Sequence, residues 1–410
     1  MGETVVGIDI GTSKVCTVIG QINDNNQIDI IGRGTSPCTG LKKGIIVDIE
    51  GTSSSIHKAV GQAESISNLK IGSAYVNITG MHVTVINNTD SINISGENRE
   101  ITCKDVERVL YAARNVTIPE DKEIIDIIPR QYIIDGYDEI IDPVGMVGVK
   151  LEAEVDVVLG KITSVQNILK SMERANIRID GLVIESFAAG EVLLTPEEKE
   201  IGCILIDVGG GITDISIFKG KRLIFYDSIT VGGDHITKDI SIGLKISYLD
   251  AEKIKREYEL ALTSLIKNDQ EITVTEINEN KKKNIKVSKF VEIIEARVHE
   301  IFTLSRKLIE NQGIDVRFLS GMVLTGGGIS YLDGGIQLAY EVFDIPVRVA
   351  TFKINGSHKI EFATAAGIVK YCSGKVKVGK QGSDIRVQKQ RLPKKEPTFK
   401  KIIKWFGKFY

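Results

Sequence analysis

Residues 4–10 form an apolar run that reaches Asp9, breaks at Gly11 and resumes as a β-branched run over 15–19. The order recurs at 203–208, where the run reaches Asp207, breaks over Gly209, Gly210 and Gly211, and resumes over 215–218. Strand, acid, glycines, strand is the pattern of a hairpin, so two related hairpins in two related half-molecules are predicted. Helical periodicity over 164–175, a strand at 181–185, and a small-residue helix over 187–194 stopped near Pro196 read as α/β, with parallel sheets covered by helices.

Between 83 and 160 the texture changes to short alternating strands (83–86, 123–128, 130–134, 151–159) around one helix at 104–115, the pattern of an inserted α+β subdomain. A second insertion, 241–313, reads as a charged helix (250–260), a polar surface connector (268–286) and a long helix (288–311). Residues 373–397 hold Gly, Lys, Gln and Pro with few large apolar side chains, which predicts a flexible linker. The expected division is 1–82 and 161–195 for the first half, 83–160 for its insert, 196–240 and 314–372 for the second half, 241–313 for its insert, and a terminal helix at 398–410.

That terminal segment has its own chemistry. At about 100° per residue, Phe399, Ile402, Ile403, Trp405, Phe406, Phe409 and Tyr410 fall within an arc of roughly 160°, and Lys400, Lys401, Lys404 and Lys408 take the other side. Aromatics for the acyl boundary and lysines for anionic headgroups predict a helix lying in a membrane surface. Charge supports this. Residues 380–410 carry ten Lys and Arg against Asp384 and Glu396, a net +8, which leaves residues 1–379 at −10 of the chain's −2. An acidic body disfavours nucleic acid as a partner, and only the tail suits an anionic surface.

With 42% hydrophobic and 26% charged residues the 410-residue chain is long enough for two to four packed units. No apolar run is long enough to span a bilayer, and Glu3 stands where a secretory leader would be basic, so a cytosolic body is expected. Five scattered cysteines with no CxxC pair argue against a disulfide or zinc framework.

Candidate chemistry lies at the hairpins. Backbone N–H groups of a glycine-rich turn can approach phosphate oxygens closely, while a neighbouring carboxylate holds a hydrated divalent cation. Asp9 with Gly11, Thr12, Ser13 and Lys14 suits that task, and Asp207 with Gly209, Gly210, Gly211 and Thr213 repeats it. A third turn, Gly326, Gly327 and Gly328, follows the apolar strand 322–324 and could close on a nucleoside or an α-phosphate. Gly232 and Gly233 complete the nucleotide-binding set.

The order of these elements resembles the actin and Hsp70 type of ATPase fold, with 187–194 and 362–371 as the two connecting helices. Within the first insertion, Pro129-Arg-Gln-Tyr132, Asp142-Pro-Val-Gly-Met146 and Gly148-Val-Lys-Leu-Glu-Ala-Glu154, together with Gly44-Ile-Ile-Val-Asp48 and the amphipathic tail, resemble the FtsA family of bacterial cell-division proteins. The resemblance runs from Val5 to Tyr410. It implies ATP and Mg²⁺ as ligands, with Asp9 and Asp207 holding the metal through water and Lys14 reaching the β- and γ-phosphates. Glu252 and Lys255 would contact adenosine, and Glu185 would orient the attacking water, with turnover weak or negligible. It also implies an adaptor at the cytoplasmic face of the division site. Such an adaptor polymerises on itself, binds the C-terminal peptide of the tubulin-like FtsZ, with Arg297 as a candidate contact, and collects later division proteins. Two other readings are an adaptor like the type IV pilus protein PilM and a small-molecule kinase of the same fold.

Overall fold

The computed structural model describes residues 4–380, apart from 24–27, 97, 278–281 and 355 and the side chains of 374–380. The predicted tail helix and most of the predicted linker lie outside the described residues.

Two five-stranded sheets share one topology. In the first, Thr4–Ile10 pairs antiparallel with Lys14–Ile22, which pairs with Ile28–Pro37; on its other side Thr4–Ile10 lies parallel to Ser73–Ile78, and that strand parallel to Arg178–Ile184. In the second, Cys203–Val208, Thr213–Lys219 and Arg222–Ile229 form the same meander, and Gly321–Thr325 and Val347–Val349 add the same two parallel strands. The register puts Asp9 opposite Cys16 and Asp207 opposite Asp214, so both acids sit at equivalent places beside a turn.

Each sheet is mixed, half antiparallel and half parallel, and both of its faces are covered. In the first, Ile8, Ile10, Val15 and Ile19 face the helices Ile49–Ser67 and Ile162–Arg174, while Val5, Cys16 and Val18 face Ala363–Lys380. In the second, Ile204, Ile206, Ile215 and Ile217 meet the long helix Val287–Asn311 and its neighbours, and Cys203, Leu205 and Phe218 face the helix Glu185–Leu193. The two connecting helices therefore lie between the sheets. They cross where Gly367 meets Ala188; a Cβ on Gly367 would collide with the Ala188 carbonyl, so the small residue there is a packing requirement.

The first insertion forms a separate four-stranded antiparallel sheet in the order Val83–Asn93, Lys150–Lys161, Lys122–Ile134, Tyr137–Ile140, backed by the helix Cys103–Ala112. Several expectations differ in detail. Pro129 does not split a strand: Lys122–Ile134 is continuous, and its register against Lys150–Lys161 slips at Arg130, the bulge that lets a proline sit in a ladder. Glu185 begins a helix instead of ending a strand. The connector 268–286 is not a structureless excursion, since Glu271–Thr275 pairs with Lys282–Lys286 and aligns Ile272 with Ile285. The final helix runs to Lys380, beyond the expected start of the linker at 373. Among the described residues no helix is long and apolar enough to cross a membrane.

Candidate nucleotide site between the two halves

The two glycine turns close alike, through Gly11 N–H to the Lys14 carbonyl at 3.0 Å and Gly209 N–H to the Ile212 carbonyl at 2.9 Å. Their tips touch: a Cβ on Gly210 would collide with the Ser13 hydroxyl, and one on Gly211 would lie 2.9 Å from Thr12 Cγ2. Behind the second turn, Gly233 N–H bonds the Gly209 carbonyl at 2.9 Å, and a Cβ on Gly233 would lie 2.7 Å from Gly328 Cα. Gly326 adopts φ +96°, where a side chain would strain the backbone and strike Asp207. The predicted glycines, Gly327 included, thus converge on one place where backbone packs on backbone, and space around Gly327 stays open.

Four acids gather below the turns. Asp9, Asp207 and Glu185 are partly exposed and Asp214 is buried. Solvent reaches the first three through an otherwise enclosing protein surface, and not Asp214. Burial pushes Asp9 up to about 7, opposed by the Lys14 charge and reinforced by Asp214. Burial, then Asp214 and Asp9, push Asp207 to about 7 against Lys14. Asp214 rises to about 6 through burial, although hydrogen bonds from Ser228, Tyr226 and the Gly80 N–H hold it down. Glu185 is raised by burial and then by Asp214, Asp9 and Asp207. Asn77 donates to both Asp9 and Glu185, at 2.9 and 3.3 Å. Asp214 accepts from Ser228 Oγ at 2.5 Å and Tyr226 Oη at 3.3 Å, and Tyr226 covers Gly80 closely enough to exclude any side chain there.

Negative charge this uncompensated suits a cation. Among the described residues no three Asp, Glu, His or Cys side chains form a group that could hold a metal ion directly.

Glu252 and Lys255 do not lie on a solvated face. Lys255 is buried, and its ammonium donates to Glu252 at 2.6 Å, Thr237 Oγ1 at 2.6 Å and the Gly233 carbonyl at 3.1 Å. It therefore ties the helix Tyr248–Tyr258 to the Gly232-Gly233 turn. Beside it Arg256 bonds Glu252 Oε1 at 2.9 Å and the Gly327 carbonyl at 3.2 Å, and stacks 4.2 Å over the Tyr331 ring, whose buried hydroxyl has no partner among the described residues. A flat cationic surface next to an orphaned hydroxyl fits a nucleoside.

Two predicted residues have hydrogen-bond partners of their own. The Thr213 hydroxyl donates to the Val231 carbonyl at 2.8 Å, bracing the second hairpin. Arg297, on the long helix of the second insertion, pairs with Asp239 at 2.5 Å and with Glu300. Phe399, Trp405 and the other tail residues lie outside the described residues. The sequence reading missed Asn77, Asp214, Arg256 and Tyr331. Asp214 ends the motif that contains Asp207, and Arg256 follows Lys255, so proximity was available as a signal; Asn77 and Tyr331 had none.

The raised acids set a pH dependence. A carboxyl that holds its proton more tightly folded than unfolded adds stability below its unfolded value near 3.8, and loses it as pH rises through about 7. In chelator, Asp207→Asn should therefore gain melting temperature relative to wild type as pH is raised from 5 to 8. Parallel profiles would show that Asp207 carries no such load.

Two sheets of one topology, joined by crossed helices around a glycine-lined acidic cleft, define an actin-like ATPase fold carrying an inserted subdomain. Solved structures agree on the fold: the PilM-PilN type IV pilus biogenesis complex matches with TM-score 0.59 at 16% identity over 90% of this chain and 98% of that one. MreB5 of Spiroplasma citri bound to ADP matches with TM-score 0.55 at 15% identity over 93% and 99%. A family model described as "Cell division protein FtsA" matches residues 204–367, and one described as "SHS2 domain inserted in FTSA" matches 80–159. The chain is 34% identical to cell division protein FtsA of Pseudomonas aeruginosa over 98% of this chain and 97% of that protein. It is 38% identical to that of Bacillus subtilis over 90% and 83%. The chain belongs to the FtsA family of cell division proteins.

Proposed function

We propose that the chain binds ATP with Mg²⁺ in this cleft and uses it as a conformational ligand for an actin-like polymer. That polymer tethers FtsZ to the cytoplasmic face of the membrane at the division site. The observation that carries the reading is the pair of equivalent acid–glycine hairpins meeting tip to tip from two related halves. The N–H groups of Thr12 and Ser13 and of Gly210 and Gly211 bind phosphate oxygens from opposite sides, while those of Gly11 and Gly209 close the turns, and Lys14 adds charge. Asp9 and Asp207 hold the hydrated cation, which supplies charge neutralisation at the phosphates. Arg256 and Tyr331 bind the adenosine side, with Glu252 held ready by Lys255. Glu185 accepts a proton from water at a slow rate or not at all, and its place at the head of the connecting helix lets the nucleotide state reach the crossing at Gly367.

The membrane contact is the 398–410 segment, and anionic lipid is its partner. The FtsZ C-terminal peptide docks on the second insertion. Arg297, already paired with Asp239 and Glu300, offers a charge only in exchange for those partners. Later division proteins are collected by the assembled polymer. Membership of the FtsA family favours this reading over a pilus adaptor or a kinase. Titration calorimetry of the full-length protein tests the first step: one ATP per chain with affinity raised by Mg²⁺ supports it, and no heat of binding contradicts it.

A further inference from the structure

We propose that Asn77 is a positioning residue that holds the Asp9 and Glu185 carboxylates in one frame, so that one side chain sets both the cation-holding acid and the water-orienting acid. The proposal rests on the nucleotide reading above. Asn77 lies on Ser73–Ile78, whose parallel ladder with Thr4–Ile10 covers Gly7 with Tyr75 and Ile8 with Val76 and then stops, one residue short of Asp9. Where the ladder stops, the Asn77 side chain continues it, since Oδ1 accepts from the Ile10 N–H at 2.7 Å.

That bond fixes which end of the amide faces where. An NH₂ group cannot face an N–H donor, so Oδ1 takes the backbone and Nδ2 turns to the acids, one proton for each: Asp9 Oδ1 at 2.9 Å and Glu185 Oε2 at 3.3 Å. Asn77 is 2% exposed, so nothing in solvent competes for these bonds. A neutral donor is the chemistry the place demands. A lysine would hold both acids but cancel the charge that attracts the cation, and an aspartate would bring a third charge and no proton. The partners come from two separate stretches of chain: the adjacent residues Asp9 and Ile10 at the end of the first strand, and Glu185 at the head of the connecting helix, 108 residues on from Asn77. Asn77 thus links the acid beside the first phosphate turn to the helix that joins the two halves.

The test uses the full-length protein with a non-hydrolysable ATP analogue and Mn²⁺, read by electron paramagnetic resonance. Asn77→Leu keeps the volume and loses all three hydrogen bonds. Asn77→Ser keeps a hydroxyl near the Ile10 N–H but cannot span both acids, and serves if the leucine variant does not fold. Nucleotide-dependent Mn²⁺ binding should weaken about tenfold in a folded variant, while binding of the analogue in chelator stays at the wild-type value. A purely structural role would lower the melting temperature and leave the Mn²⁺ affinity alone, and that result overturns the proposal. Wild-type protein that binds no analogue overturns the nucleotide reading itself, and the proposal with it.

Discussion

Trp405→Glu is expected to abolish binding to anionic liposomes at every ionic strength. Burying such a ring contributes about 2–3 kcal/mol, and the substitution also puts a charge on the face that enters the acyl boundary. The lysines act differently. Lys400, Lys401, Lys404 and Lys408 supply about 1 kcal/mol each near an anionic surface, and only within a Debye length. Changing all four to Gln should leave weak binding that no longer responds to salt or lipid charge. Trp405 is the single tryptophan in the chain, so its fluorescence should move to the blue when vesicles are added. No shift, together with co-sedimentation unaffected by Trp405→Glu, would leave the tail without a membrane role.

The second large effect is at the cleft. Asp207→Ala removes an acid placed to hold the hydrated cation, and hydrogen bonds to charged groups contribute about 1.5–3 kcal/mol, so ATP affinity in the presence of Mg²⁺ should fall roughly thirtyfold. Affinity in chelator should change little or improve, because the acid no longer repels the phosphates. A folded variant with wild-type affinity in Mg²⁺ would detach Asp207 from the metal.

What could be read from the sequence is what is local. The hairpins around Asp9 and Asp207 announce themselves because acid, glycines and both strands fall within 16 residues, 4–19 and 203–218, and the repeat of the pattern marks two halves. The small residues of the connecting helices are local too, and Gly367 against Ala188 is what they permit. Lys255 shows where this ends. Glu and Lys at close helical spacing suit an adenosine contact and a solvated face alike, and only the Gly232-Gly233 turn, brought over it by the fold, turns that lysine into a buried clasp. Asn77 gave no signal at all: nothing about Val-Asn-Ile in a strand says that Ile10 and Glu185 converge on it. The hairpin Glu271–Thr275 with Lys282–Lys286 hid behind its lysines and asparagines, whose polarity outweighed the alternation of Ile272, Val274 and Ile285. Pro129 misled in the opposite direction, since a bulge at Arg130 absorbs what would otherwise end the strand.

The most direct test of the tether is co-sedimentation of FtsZ with anionic liposomes in the presence of Mg²⁺ and ATP. The comparison is between the full-length chain and one ending at residue 397. The account predicts that FtsZ pellets with vesicles only when the full-length protein is present, and that the shortened chain leaves both proteins in the supernatant. FtsZ recovered equally with either chain, or with neither, would contradict it.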